Sequence, residues 1–305
     1  MKTTKKHRTT QARTVGELAL CAVVLSLCLS GVAQATTISL GEAGLFTALA
    51  LNNCFVFMGN DPTKVTGDMG IAAGSQGLLD KGTVTGTTFV DPLATVTTGG
   101  SWNGTIVNQS LAQAVSHAVA ASLAFGGLTA NQPNTSLATT TTLNGLSGDN
   151  IYLLTGGVNL NSKTLTLNGP ADAYFIFNDP DGFFFSSSSI ALTGGVTANH
   201  VLFNLTGSTA GVEAGLRNSG TFRGTLLAPN RAIQADHLTI EGALIGGRDS
   251  TFNTLDKDGA SFSLHSEVQV VPKLFQPAPI PDASTILLAC FGALQLLAIR
   301  KKVFR

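Results

Sequence analysis

Asp236 and His237 stand side by side, and a carboxylate next to an imidazole is the pair from which general acid–base chemistry is built. Neighbours on a strand face opposite sides, however, so the two read as a turn or surface pair and not as partners on one substrate. Asp179-Pro180-Asp181-Gly182 and Asp256-Lys257-Asp258-Gly259 have the spacing of cation loops. Asp and Gly also begin and end tight reversals, and both segments read first as turns. His200 and His265 are isolated, and His117 is expected to be exposed. No CxxC, HExxH or paired-histidine spacing marks a metal. Among the cysteines, Cys54 sits in NNCFVFMG and reads as a small buried hydrophobe, not a reactive thiol. These residues assign no catalytic, metal or cofactor site, and the chain reads as a non-enzyme.

Threonine is the other residue whose spacing has chemical content. Thr83, Thr85 and Thr87 fall on alternate positions around Val84, and Thr95 and Thr97 flank Val96. Thr139 with Thr141, or Thr140 with Thr142, would present a further row. Alternate residues of a strand share a face, so each run lines up hydroxyls and methyls. The hydroxyl can hold a water, the methyl restricts its neighbours, and the β-branch limits rotation. Such rows suit contact with an extended surface. Thr also fits any exposed pleat, and no strict T-x-T ladder of constant spacing continues these runs.

The elements that must carry these residues are short strands. Between positions 201 and 247, apolar runs of three to five residues containing Leu202, Leu226, Leu238, Ile240 and Leu244 are each closed by Gly, Asn or Asp. Segments repeat: Leu167 and Leu192 head matching stretches 25 residues apart, and GTLLA at Gly224 matches GALIG at Gly242, 18 apart. An irregular period near this range marks a coil of stacked strands, a parallel β-helix with Leu, Ile, Val and Phe inside. Alternation in Phe183-Phe184-Phe185 would bury the outer two and expose Phe184. Early strands are expected in CFVFMG, KVTGDMGIAAGS, GTVTGTTFV and ATVTTGG. Asn108 could cap one helix over about 109–125, with Leu111, Val115, Ala118, Val119 and Ser122 along its apolar stripe. A Thr- and Asn-rich connector follows, and strands resume at Ile151. The segment around 38–51 or a terminal loop is expected to cover the first coil's edge.

Composition fits an exported body. Gly numbers 34 of 305 residues and only 12% are charged, against a usual ~25%. Seventeen Phe against 2 Tyr and 1 Trp argue against an aromatic sugar platform, because Phe belongs inside. The zero formal charge hides an asymmetry: residues 36–271 carry 8 basic against 16 acidic side chains, and both ends are basic. An acidic body disfavours nucleic acid.

Both ends read as export devices. Residues 1–35 form a signal peptide with a cationic start, an apolar core and a small-x-small site, Ala33-Gln34-Ala35, cut after Ala35. The body, 36–271, is one domain. A Pro-rich linker, 272–285, leads to a hydrophobic segment, 286–305, whose apolar core of 14 residues falls short of the ~20 of a comfortable span. Arg300, Lys301 and Lys302 would hold its end on the cytoplasmic side.

The tail, Ile280-Pro281-Asp282-Ala283-Ser284 with the short apolar helix and basic end, resembles the PEP-CTERM class of bacterial sorting signals. That resemblance implies recognition and removal by an exosortase-like membrane protease, with the product at the cell surface or outer envelope or released. The body resembles the bacterial and algal ice-binding protein family in VTGDMGIAAGS at Val65, GTVTG at Gly82, the helix, ADAYFIFN at Ala171, NHVLFNLTG at Asn199, GTLLAPNRAI at Gly224 and IEGALIGG at Ile240. The implied fold is mainly β: an irregular right-handed parallel β-helix (β-solenoid) with one α-helix alongside, to which the two ends add the N- and C-terminal hydrophobic export helices read above. The implied partner is ice or a surface polymer, met by a flat face for which Thr83, Thr85, Thr87, Thr95 and Thr97 are the candidates. CFVFMGN, HVLFN and GTLLAPNRAI also look like the choice-of-anchor A surface domains, which would make the protein an adhesin without ice activity. A β-helix polysaccharide lyase or hydrolase is the remote alternative, since the clustered carboxylates it needs are thin.

Overall fold

A computed structural model describes residues 38–51, 55–59, 63–207, 213–249, 251–254 and 258–275. Ala33, Ala35, Cys54, Pro281, Asp282, Arg300, Lys301 and Lys302 lie outside the described residues, as do both end segments. The body falls in one compact unit, Ile38–Ala278. Among the described residues no helix is long and apolar enough to cross a membrane.

The strands pair in parallel, and each passes side chains alternately inward and outward, so every turn of chain adds one rung to a set of stacked sheets. Three stacks result. One runs through Gly148–Asn161, Ala173–Asp179, Val201–Leu205, Ala214–Ala228, Thr239–Gly246 and Ala48–Ala50, then Met69–Ile71 and Thr83–Val90. A second uses other parts of the long strands together with Thr164–Asn168, Gln269–Pro272 and Lys64–Val65. The third joins Phe183–Thr193 to Ile233–Asp236, Phe262–His265, Phe55–Gly59, Gln76–Leu79 and Thr95–Thr98.

Their inward residues form one core, in which Tyr152, Phe177, Phe203 and Phe222 follow one another at centroid distances of 5.0, 4.7 and 5.4 Å. Phe183 and Phe185 are buried and Phe184 is 38% exposed, as alternation requires. Corners between the second and third stacks take left-handed backbone at Ser162, Ser187, Asn218, Ser219, His237, Ser266 and Glu267. A small polar side chain tolerates that conformation better than a branched one.

The order of rungs is not the order of the chain. Ala48–Ala50 lies between Leu244–Gly246 on one side and Met69–Ile71 on the other, in mid-column. It therefore does not cover an edge, so of the two covers expected from the sequence, the 38–51 segment or a terminal loop, the strand of the first is ruled out. The chain climbs from there to Asn103–Asn108 at one end, returns as the helix, restarts at Thr135–Leu137 at the other end and winds back. Gln269–Pro272 then closes against Lys64–Val65. The Thr- and Asn-rich connector contributes two strands ahead of the expected restart at Ile151, Thr135–Leu137 and Thr141–Asn144.

The helix, Ala112–Gly126, starts later than the expected 109, because Asn108 still belongs to a strand. Its first free amide is answered by another residue: Asp91 Oδ2 accepts from Leu111 N at 2.9 Å, placing a carboxylate at the positive end of the helix. The buried face is Ala114, Ala118, Ala121, Ser122 and Phe125, rotated from the expected stripe, with Val115 and Val119 only partly covered. Small residues let the helix approach the outward Leu49, Ile176, Leu202, Leu227 and Ile245 of the first stack. These strands are apolar on both sides for that reason.

Candidate functional site

With one stack under the helix, two outward faces remain. On the third stack the 258–260 region folds over the sheet: Gln234 Nε2 donates to the Asp258 carbonyl at 2.9 Å, and Arg217 bonds Glu213 and Gln234. Its surface is uneven, and a cavity of about 40 Å³ is lined by Arg217, Gln234, Asp236, Asp258, Ser263 and His265.

Here the histidines differ from expectation. Asp236 Oδ1 lies 2.7 Å from His237 Nδ1 and 3.0 Å from His265 Nδ1, so the adjacent pair does meet, His237 being turned by its left-handed φ of 53°. His265 is thus not isolated. The Ser266 hydroxyl lies 2.8 Å from the same Nδ1 and 3.4 Å from Nε2. A serine relay needs the carboxylate on one ring nitrogen and the hydroxyl on the other, and here both favour Nδ1. The cavity holds a few waters at most, too little for a sugar ring. His200 lies against Tyr174 with ring centroids 4.2 Å apart and planes tilted by 32°, burial lowering its pKa, and His117 is half-buried, its Nδ1 accepting from Glu42 N at 3.1 Å.

The carboxylate turn at Asp179 is structural. Asp179 Oδ1 accepts from Asp181 N at 2.9 Å, and burial, despite the nearby Arg231 guanidinium, lifts the Asp179 pKa to about 6. Arg231 is fully buried and donates to the Pro180 and Asp181 carbonyls. Among the described residues no group of three or more His, Cys, Asp or Glu is arranged to hold a metal.

The second stack is different. Thr164, Ser189, Thr221, Thr239, Gln269, Lys64, Thr83 and Asn103 are register partners in unbroken succession, one outward residue per rung. Beside them run Thr142, Thr166 and Ala191, and then Asn144, Asn168 and Thr193. The last three bond side chain to side chain: Asn168 Nδ2 donates to Asn144 Oδ1 at 2.8 Å, and Thr193 Oγ1 donates to Asn168 Oδ1 at 3.1 Å. Rungs stand ~4.8 Å apart and outward neighbours along a strand ~6.6 Å apart, so this half of the face is an uncharged grid of hydroxyl, methyl and amide groups. Beyond it Arg223 bonds Glu241 through Nε–Oε2 at 2.8 Å. That ion pair ends the uncharged part.

Of the five threonines singled out from the sequence, Thr83 and Thr85 belong to the far end of this face, where Thr85 Oγ1 accepts from Gly67 N at 3.2 Å. Thr87 lies past the corner, its N–H donating to Asp68 Oδ1 at 2.8 Å. Thr95 and Thr97 stand on the third stack, opposite Gln76 and Leu78. The structure therefore joins two of the five. Thr142 was named only within an alternative row, and Thr164, Thr166, Ser189, Thr221 and Thr239 were not singled out; Thr164 and Thr166 form a short local run, but Ser189, Thr221 and Thr239 stand one per rung, and no local run announces them. Their signal is long-range: the 25-residue match that pairs Leu167 with Leu192 also sets Thr164 beside Ser189.

Comparison with known proteins places these features among relatives. A family model described as Ice-binding-like matches residues 55–257. The crystal structure of an ice-binding protein from the Antarctic ascomycete Antarctomyces psychrotrophicus aligns with a TM-score of 0.50 at 26% identity, covering 78% of this chain and 99% of that one. A glycosylated ice-binding protein from an Arctic yeast aligns with a TM-score of 0.48 at 17% identity, over 82% and 99% of the two chains. The DUF3494 domain of Shewanella frigidimarina ice-binding protein_1 aligns with a TM-score of 0.46 at 16% identity, over 77% and 96%. No curated protein matches.

Proposed function

The chain belongs to the ice-binding-like family, and from that premise we propose that it is an exported, non-enzymatic protein that binds ice through its threonine face. The observation that carries the choice of face is the in-register grid of Thr142, Thr164, Thr166, Asn168, Ser189 and Thr193, free of charge and, among the described residues, left uncovered by helix or loop. A crystal surface is matched by a rigid, repeating array. Threonine supplies it with a water-holding hydroxyl, a methyl that excludes competing hydration and a side chain with little rotational entropy to lose. The stacked rungs fix the spacing, and the three-sided coil is read as a right-handed β-solenoid. The Arg223–Glu241 pair carries a strongly hydrated surface, so contact is assigned to the part of the face before it, from Thr142 and Asn144 to Ser189 and Thr193.

Thermal hysteresis and inhibition of ice recrystallisation test this directly. Thr166→Tyr should remove most of both effects while leaving the protein folded. A wild-type protein inactive in both assays at high concentration would refute ice binding, and full activity in the Tyr variant would refute the face.

Export rests on the sequence of the ends. The cationic start and Ala33-Gln34-Ala35 support cleavage after Ala35, and the Pro281-Asp282 motif with Arg300, Lys301 and Lys302 supports handling at the membrane by an exosortase-like protease. Intact-mass measurement of the mature protein should find both ends removed.

A further inference from the structure

The two ends of the column are finished differently. At one, the outer edge of Gly148–Asn161 is answered: Asn131 N and Gln132 N both donate to the Ile151 carbonyl at 3.1 Å, and Ile151 N donates to Asn131 Oδ1 at 2.8 Å. At the other, Asn103–Asn108 pairs, among the described residues, only with Thr83–Val90, and all six of its residues are exposed. Gln109 N donates inward to the Val90 carbonyl, so alternation turns the amides and carbonyls of Ile106 and Asn108 away from the body. Lysine, proline or a covering loop commonly protects such an edge. None does here among the described residues, and no Lys, Arg, Asp or Glu occurs between Asp91 and Asp149.

We propose that this open end is the docking surface for a second copy of the same chain, joined by antiparallel pairing of the two Asn103–Asn108 strands about a two-fold axis at Ile106. Residues 104, 106 and 108 share the outward direction. Ile106 of one protomer would exchange both backbone bonds with Ile106 of its partner, and Asn108 would meet Gly104. A strand pairing with its own copy is self-complementary, so the contact closes as a dimer and does not propagate into a filament. Charge favours this occupant. The body is acidic and two copies repel elsewhere, whereas the last rung, like all of residues 92–148, carries no charge to oppose the approach. Ile106 and Val107, 40% and 41% exposed, would be covered on association. Trp102, the single tryptophan of the chain, packs at this end, close beneath Gly104.

Sedimentation equilibrium of the full-length protein over a range of concentrations, with tryptophan emission recorded in parallel, tests the proposal. The expected result is a doubling of mass with concentration, accompanied by a blue shift. Ile106→Lys sets two ammonium groups face to face across the axis, and Ile106→Pro deletes an amide that points out of the body. Both should hold the single-chain mass with unchanged far-ultraviolet circular dichroism. If Ile106→Pro disturbs folding, Ile106→Lys alone decides. A wild type of single-chain mass at every concentration would overturn the proposal, as would a dimer that survives the substitutions, including one held by the apolar ends of the chain.

Discussion

The Ser122 hydroxyl of the helix donates to Asn204 Oδ1 at 2.7 Å, fixing the helix to a strand 82 positions away. Asn204 Nδ2 bonds the Ser122 carbonyl at 3.0 Å and Asn178 Oδ1 at 2.8 Å, and Asn178 Nδ2 donates to the Phe125 carbonyl at 2.8 Å. Two stacked asparagines thus hold the last turn of the helix, and all of these groups are buried.

Removing one member should leave the others unanswered. Asn204→Leu strands the Ser122 hydroxyl and Asn178 Oδ1 in an apolar setting, at a cost of about 2–4 kcal/mol. Urea denaturation should show a lowered midpoint, and hydrogen exchange should show early loss of protection in 112–126.

Position on the solenoid should matter more than residue type. Thr166→Tyr and Thr97→Tyr are the same change on different faces, and neither should alter stability by more than about 0.5 kcal/mol. Only the first should depress thermal hysteresis. Equal losses from both would argue against a single contact face.

Neighbouring rungs touch backbone to backbone where Gly224 and Gly242 are partners. A Cβ on Gly242 would fall on the Gly224 carbonyl oxygen, well inside contact distance. Gly242→Ala should therefore cost about 3 kcal/mol, whereas Gly100→Ala, which meets nothing nearby, should be close to neutral in thermal unfolding.

Asp179 gives stability a pH dependence. Its folded pKa of about 6 lies above the ordinary 3.8 because burial opposes its charge. The native state therefore holds the proton more tightly than the unfolded chain. The associated stabilisation is complete below about pH 4 and is lost as pH rises through 6, a swing of about 3 kcal/mol. Denaturation midpoints between pH 4 and 7 should fall in the wild type and flatten in Asp179→Asn.

Strands were legible wherever apolar runs ended in turn residues, and the matches at Leu167 with Leu192 and Gly224 with Gly242 reappear as register partners. The Phe183–Phe185 alternation was legible too. What stayed hidden depends on contacts distant in sequence. The helix cap was assigned to Asn108, but Asp91 fills that role from the rung below. Local threonine runs pointed to a face, yet a strand that bends at a corner sends Thr83 and Thr87 to different sides. Asn204 heads one of four N-x-S/T triplets and is fully buried under the helix, a fate that its own neighbours in sequence do not reveal.

Ala48–Ala50 sits in the middle of the finished column, and its partners at Leu244–Gly246 come about two hundred positions later. The earliest part of the body to leave a ribosome is thus a keystone that cannot be locked until nearly the whole body has followed. Loop closure across that distance is slow, so assembly is expected to finish only after synthesis is over, the unfinished column waiting on its latest strands.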